Sequence, residues 1–196
     1  MNRNRLLSLT GYASLIVLLV LELVLRYDSW VRQIALAITN IITIIVLLIV
    51  SRYLRRRGFA LPWAVVWFSA LGVWFDGMGN FIHYYANIAW WDKIAHGVGA
   101  GALAAGIVVL LDTLIQRGKI LLGPVMKFMV AVSLTVTFSV LYEISEYIGD
   151  TIYPTNRVTG LFDTADDLLW NLGAAVMVVL VAERFRQKKN DPIRNP

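Results

Sequence analysis

The chain has 196 residues, of which 58% are hydrophobic, and its mean hydropathy is +0.66. This composition indicates a polytopic α-helical membrane protein and argues against nucleic-acid binding, despite a net charge of +5. The absence of cysteine excludes disulfides, thiolate metal sites and cysteine nucleophiles.

Six apolar segments approach the roughly 20 residues that a hydrocarbon core requires. The first follows Arg3 and Arg5 and continues without a cleavage pattern, so we interpret it as a retained helix rather than a signal peptide. Pro62 and Pro124 lie where a helix start tolerates proline. The sequence therefore predicts an all-α bundle of six transmembrane helices in one domain, residues 1–196. The predicted spans are residues 9–25, 31–50, 61–83, 92–114, 124–149 and 165–182.

Basic residues are unequally divided between the two sides of this predicted bundle. If the N-terminus is cytoplasmic, the inner segments hold 14 of the 18 lysines and arginines. The outer side keeps only Arg26, Arg32, Lys93 and Arg157. Because cytoplasmic loops are enriched in lysine and arginine, this asymmetry predicts that both termini are cytoplasmic.

The acidic residues have the opposite distribution, with ten of the 13 on the predicted outer half. Glu22 and Asp28 are expected to pair locally with Arg26 and Arg32. The other eight come from four helix ends that face the same side, and only Lys93 and Arg157 are near them in sequence. These eight are Asp76, Asp92, Glu143, Glu146, Asp150, Asp163, Asp166 and Asp167.

Helical spacing places several of these acids on shared faces. Asp92 and His96 are four residues apart, and Glu143 and Glu146 are three apart. At about 1.5 Å per residue, Glu143 lies roughly 10 Å below Asp150 and therefore within the outer leaflet. Asp150 and Asp166 are interpreted as surface acids. Two further polar lines are Asp163, Asp167 and Asn171 on the last helix, and Asp76, Asn80 and His83 on the third.

Carboxylates at membrane depth are costly, and converging ones repel unless something neutralises them. A divalent cation would do so, and a set of oxygens with one or two imidazoles suits Mg²⁺, Mn²⁺, Ca²⁺ or Zn²⁺. We therefore predict a metal site in which His96 and Glu143 are catalytic. The predicted metal ligands are Asp92, His96, Glu143, Glu146, Asp163 and Asp167. The predicted substrate-binding or supporting residues are Asp76, Asn80, His83, Arg157 and Asn171.

The motifs "FDGMGN", "WWDKIAH", "YEISEY" and "FDTADDLLWNLGA" together resemble the YjdF-like family of small bacterial and archaeal integral membrane proteins. The resemblance covers residues 76–179. It implies a site at Asp92, His96, Glu143, Glu146, Asp163 and Asp167, a prokaryotic cytoplasmic membrane, and no settled activity. The last helix is also similar to VanZ-like proteins, although Asn171 and Gly173 are one residue closer than in that pattern.

Three functions remain open at this point. The first is a metal-dependent membrane hydrolase or transferase that acts on a lipid or isoprenoid-type substrate. The second is a proton- or cation-coupled transporter, because intramembrane acids also mark ion pathways. The third is a non-catalytic scaffold with a structural ion. Two histidines are too few for a histidine-box desaturase, and there is no nucleotide-binding Walker loop or nucleophile-elbow motif.

Overall fold

The computed structural model describes residues 3–25, 30–153, 158 and 160–189, with side chains described as far as residue 186. Within these residues the chain forms seven α-helices and no strand. Their bounds are α1 Arg3–Val24, α2 Trp30–Arg56, α3 Trp63–Phe81, α4 Tyr84–Asn87, α5 Trp91–Gln116, α6 Pro124–Ile152 and α7 Asp163–Lys189. The all-helical class is therefore confirmed.

Five of these helices, α1, α2, α5, α6 and α7, are long and apolar enough to cross a membrane. The third predicted span corresponds to α3, a 19-residue helix that carries Asp76 and Asn80 and packs against α1 and α5. The total of six spans and the cytoplasmic placement of both termini remain predictions.

Two apolar cores hold the helices together. One is formed where α1, α2 and α3 meet, around Leu15, Leu47 and Val66. The other lies between α5, α6 and α7, around Ala104, Ala131 and Val179. Because α3 packs against both α1 and α5, it joins the two cores into one bundle.

A four-residue spacing organises the inward faces of α5, α6 and α7. The first and last residues of each series are charged. The residues at the centre are small or apolar, apart from a threonine and a serine on α6, and His96 and Asn171 lie between the charged and apolar parts. We call the end formed by the starts of α5 and α7 and the end of α6 the site end, and the opposite end the far end. The series are Asp92, His96, Ala100, Ala104, Val108 and Asp112 on α5; Lys127, Ala131, Thr135, Ser139 and Glu143 on α6; and Asp163, Asp167, Asn171, Ala175, Val179 and Glu183 on α7.

The far end contains a buried ion-pair cluster that joins three helices. Lys127 is only 1% exposed, and its Nζ lies 2.7 Å from Asp112 Oδ1 and also contacts Glu183 Oε1. Glu183 in turn accepts a hydrogen bond from Arg186 Nε at 3.2 Å. A buried lysine with two carboxylate partners avoids the cost of an unpaired charge, so this cluster links α5, α6 and α7.

Glu22 has a partner that the sequence did not predict. It is fully buried and accepts a hydrogen bond from Asn40 Nδ2 at 3.1 Å. The same amide nitrogen donates to the Leu15 carbonyl oxygen at 3.1 Å. Asn40 therefore joins α1 to α2 through polar contacts inside the first core, which charge counting along the sequence could not reveal. Asp28 and Arg26 lie outside the described residues.

Candidate metal centre

A cavity of about 570 Å³ opens at the site end of the bundle. Its polar wall includes Asp76 of α3, Tyr85 of α4, Asp92 and His96 of α5, and Glu146 of α6. The segment before α7 adds the apolar side chains of Leu161 and Phe162, which are largely exposed. The cavity therefore combines a charged interior with an apolar rim.

Lys93 holds the start of α7 against the start of α5. Its Nζ donates to Asp167 Oδ1 at 2.9 Å and to Asp163 Oδ1 at 3.1 Å, and lies 3.8 Å from Asp92 Oδ2. One lysine thus counters three of the predicted acids. Asp163 faces this ammonium group and belongs to none of the groups of potential metal ligands found among the described residues.

His96 lies between two sets of carboxylates, one at each ring nitrogen. Its Nε2 is 3.7 Å from both Asp92 Oδ1 and Asp167 Oδ2. Its Nδ1 is 3.4 Å from Glu143 Oε1 and 3.3 Å from Asn171 Nδ2. The imidazole is therefore positioned to bind a ligand through one nitrogen while the other is oriented by acids.

Glu143 and Glu146 lie one turn apart on α6, and both are buried. Potential ligand atoms of His96, Glu143 and Glu146 lie within 4.8 Å of one another, and the same holds for Asp92, His96 and Asp167. Glu143 is 3% exposed, and its Oε1 accepts no hydrogen bond from the described residues. A buried carboxylate oxygen without a donor is unfavourable unless it binds a proton or a cation.

Asp76 forms a separate hydrogen-bonded group at the edge of the cavity. Its carboxylate accepts from Tyr85 Oη at 2.9 Å, from Asn80 Nδ2 at 3.4 Å and from Tyr142 Oη at 3.4 Å. Burial first, and then the Asp76 charge, raise the pKa of the Tyr85 phenol well above its usual range, so the hydroxyl stays protonated and donates. Tyr142 also packs edge-on against the His96 ring, at 6.0 Å between ring centroids. Asp76 therefore supports the wall of the cavity and the ring of His96.

Gly79 gives a direct test of how tightly this wall is packed. A methyl group at this position would overlap the Trp91 indole nitrogen and the Tyr85 ring. We expect Gly79→Ala to lower the free energy of unfolding by about 1–3 kcal/mol, measured as the thermal midpoint in detergent. Gly99→Ala, where no atom lies within 4 Å of the added carbon, should be neutral or slightly stabilising. A similar loss in both variants would show that the Trp91 and Tyr85 contacts do not limit this position.

The structure brings five of the six predicted ligands together, with four of them around the fifth, His96. Asp92, His96, Glu143, Glu146 and Asp167 fall into the two ligand groups, and Asp163 is held by Lys93 instead. Whether these residues bind a metal stays a prediction.

The supporting residues are more dispersed than predicted. Asp76 and Asn80 form the hydrogen-bonded group described above, and Asn171 contacts His96. His83 is exposed and lies in the left-handed region (φ 57°) at the break between α3 and α4, outside the cavity wall. Arg157 lies outside the described residues.

The structure also shows where the two acids interpreted as surface residues lie and what they contact. Asp150 is half-buried, and its Oδ2 accepts a hydrogen bond from the Val158 backbone nitrogen at 2.8 Å, so it ties the end of α6 to the following loop. Asp166 is exposed and lines the cavity. Asp150 is therefore less exposed than a free surface acid, because the Val158 backbone lies against its carboxylate.

Four polar residues of the cavity wall had no predicted role in the site: Arg32, Tyr85, Lys93 and Tyr142. Lys93 had the clearest signal, because it is three residues before His96 and so lies near the same helix face. Tyr142 directly precedes Glu143. Arg32 and Tyr85 come from α2 and α4, and no spacing rule connects them to the acids of α5 and α7.

Comparison with known proteins gives a family and one relative. A family model described as "Predicted membrane protein (DUF2238)" matches residues 7–188. An uncharacterized protein of Thermotoga maritima is 34% identical over 113 residues, which cover 57% of this chain and 56% of that protein. The match thus spans about half the length of the curated relative. No solved structure matches the chain at a significant level.

Proposed function

The chain belongs to the DUF2238 family of predicted membrane proteins, and from that premise we propose that its site end holds a divalent-metal centre. The YjdF-like family suggested by the motifs is this same family, so the resemblance is confirmed. The proposed centre serves an enzyme that acts on a lipid or isoprenoid-type substrate as a hydrolase or transferase.

The observation that carries the proposal is the state of Glu143. Its Oε1 is buried and accepts no hydrogen bond from the described residues, yet it lies within reach of His96 and Glu146. A divalent cation among these three residues would neutralise both carboxylates in a low-dielectric environment. We therefore propose that the ion binds to His96, Glu143 and Glu146. The ion pairs of Lys93 described above are with other acids, so its charge does not compete for this group.

The two nitrogens of His96 support the same choice. Glu143 lies beside Nδ1, so Nδ1 would be the ligating nitrogen and Nε2 would carry the proton. Asp92 and Asp167, both 3.7 Å from Nε2, would then orient the ring as outer carboxylates. Histidine ligands commonly donate their second ring N–H to a carboxylate in this way.

The bound cation would supply Lewis acidity toward the polar group of a substrate or toward a water molecule. His96 and Glu143, the predicted catalytic pair, act in this proposal as ligands. Asp92 is one-third exposed on the cavity wall, and we propose it as the carboxylate that accepts a proton from water. The apolar Leu161 and Phe162 on the rim suit a substrate that carries hydrocarbon chains.

Ion transport is less well supported than an enzymatic site. The charged groups of the site end and the far end are separated by the apolar core of α5, α6 and α7, which includes Ala104, Val108 and Val179. A transport pathway would have to cross this core, whereas an enzyme needs only the cavity at one end. A structural-ion scaffold would account for Glu143, but not for a cavity that reaches His96.

The distribution of charges along the chain supports one orientation in the membrane. The basic residues of the chain favour both termini inside, so the site end would face outward. The family resemblance adds the proposal of a prokaryotic cytoplasmic membrane. Membrane lipids are then the immediate source of substrate.

The two histidines of the chain provide a matched test. Elemental analysis of purified protein should find about one divalent ion per chain, and His96→Asn should lose it because a ligand is missing. His83→Asn should retain it, since asparagine tolerates the left-handed backbone at that position. Metal at equal stoichiometry in both variants, or no metal in the wild type after purification with added Mn²⁺ or Zn²⁺, would overturn the proposal.

A further inference from the structure

Arg32 lies on the first turn of α2 and contributes the one guanidinium group to the described wall of the cavity. Its Cζ lies 5.1 Å from the centroid of the Tyr85 ring, so the side chain packs over that ring. Its Nε is buried and donates to no acceptor among the described residues. A buried guanidinium donor without an acceptor is costly, because the planar group loses its water without gaining a partner.

Three of the acids on the same wall have other partners. Asp76 accepts from Tyr85 and Tyr142, Asp163 accepts from Lys93, and Asp92 lies near Lys93 and His96. Arg32 is therefore a cation in an acid-rich cavity that does not form an ion pair there with any described acid. Its fork of donors is available to a molecule within the cavity.

The chemistry of that molecule follows from the two kinds of lining. A guanidinium group binds phosphate or carboxylate through paired N–H donors. A phosphate has enough oxygens to contact an arginine on one side and a metal ion on another. The exposed Leu161 and Phe162 on the rim would contact hydrocarbon chains rather than an aqueous solute.

We propose that Arg32 binds the phosphate group of an anionic lipid substrate in this cavity. This inference rests on the proposed metal centre, because the bound cation offsets the acids that would otherwise repel a phosphate. Arg32 thereby gives the site its preference for phosphate-bearing lipids over neutral ones.

Binding to purified, Mn²⁺-loaded protein in detergent tests this proposal with three probes: dioleoyl phosphatidic acid, dioleoylglycerol and inorganic phosphate. Native mass spectrometry should show that phosphatidic acid binds at least about tenfold more tightly than either of the others. Arg32→Gln should remove most of that preference, again about tenfold, because the phosphate loses its charged donors. Arg52→Gln, at the opposite end of α2 and exposed, should bind like the wild type.

The other outcomes separate this inference from the metal centre. Elemental analysis of Arg32→Gln should give the wild-type metal content. If metal is present and phosphatidic acid binds Arg32→Gln as tightly as the wild type, the Arg32 assignment is wrong while the metal centre stands. Inorganic phosphate binding as tightly as phosphatidic acid would overturn the lipid part. If Arg32→Gln does not fold, Arg32→Lys keeps the charge but loses the fork, and unchanged binding in that variant would overturn the proposed paired contact.

Discussion

Glu143→Gln should abolish stoichiometric metal binding while leaving the bundle folded. Glutamine keeps the shape of the side chain but loses the negative charge, and Glu143 Oε1 is the buried oxygen that accepts no hydrogen bond from the described residues. Loss of an outer partner alone weakens metal affinity by about 10–100-fold, and loss of a ligand should exceed this. Removal of an uncompensated buried carboxylate should also keep or raise the thermal midpoint of the metal-free protein.

The measurement is the metal content after dialysis against increasing chelator, together with the thermal midpoint with and without metal. Asp163→Asn is the matched control, because Asp163 comes from the same cluster but faces Lys93 and belongs to neither ligand group. Glu143→Gln should lose its metal at a much lower chelator concentration than Asp163→Asn. The reverse order would place the ion at the α7 acids and would contradict the assignment to Glu143.

Lys127→Met should destabilise the protein by about 3–5 kcal/mol, the effect expected when one partner of a buried ion pair is removed. Lys127 is 1% exposed, and its ammonium group contacts both Asp112 and Glu183. Methionine fills a similar volume, so the loss reports on charge rather than packing. The midpoint of unfolding in detergent should therefore fall sharply.

Lys119→Met is the control for this prediction, since Lys119 is exposed in the turn between α5 and α6 and should change the free energy of unfolding by less than about 0.5 kcal/mol. Combining Lys127→Met with Asp112→Asn and Glu183→Gln should recover much of the loss, because no unpaired buried carboxylate remains. A triple variant as unstable as Lys127→Met alone would show that packing, rather than charge, dominates at this position.

Much of the helical architecture could be predicted because it depends on local properties of the chain. Long apolar runs and prolines at helix starts indicate the helices, as Pro124 does at the first residue of α6. Spacing of three and four residues also identified which acids share a face, including Asp92 with His96. The polar contacts of α3 could not be predicted in this way, because Asp76 accepts hydrogen bonds from Tyr85 and Tyr142 on other helices.

The contents of the site depend on contacts between distant residues, and there the sequence was less informative. Counting charges left only Lys93 and Arg157 near the acids in sequence, and it did not reveal that Lys93 reaches Asp163 and Asp167 across 70 and 74 positions. Arg32 joins the cavity only because α2 packs beside α1 and α3. The contact of Glu22 with Asn40 was not predicted, because Asn40 is an uncharged residue on the next helix. Such pairings follow from tertiary packing, which spacing along one helix does not specify.

The far-end cluster also bears on how the protein is made. Lys127 lies on the first turn of α6, and its two partners lie on α5, which is synthesised earlier, and on α7, which is synthesised later. Until α7 emerges, Asp112 is the one described partner that can balance the charge of Lys127. The ion-pair cluster at the start of α6 is therefore complete only once α7 has been synthesised, so loss of α7 should leave Lys127 with fewer partners and expose the protein to cellular quality control.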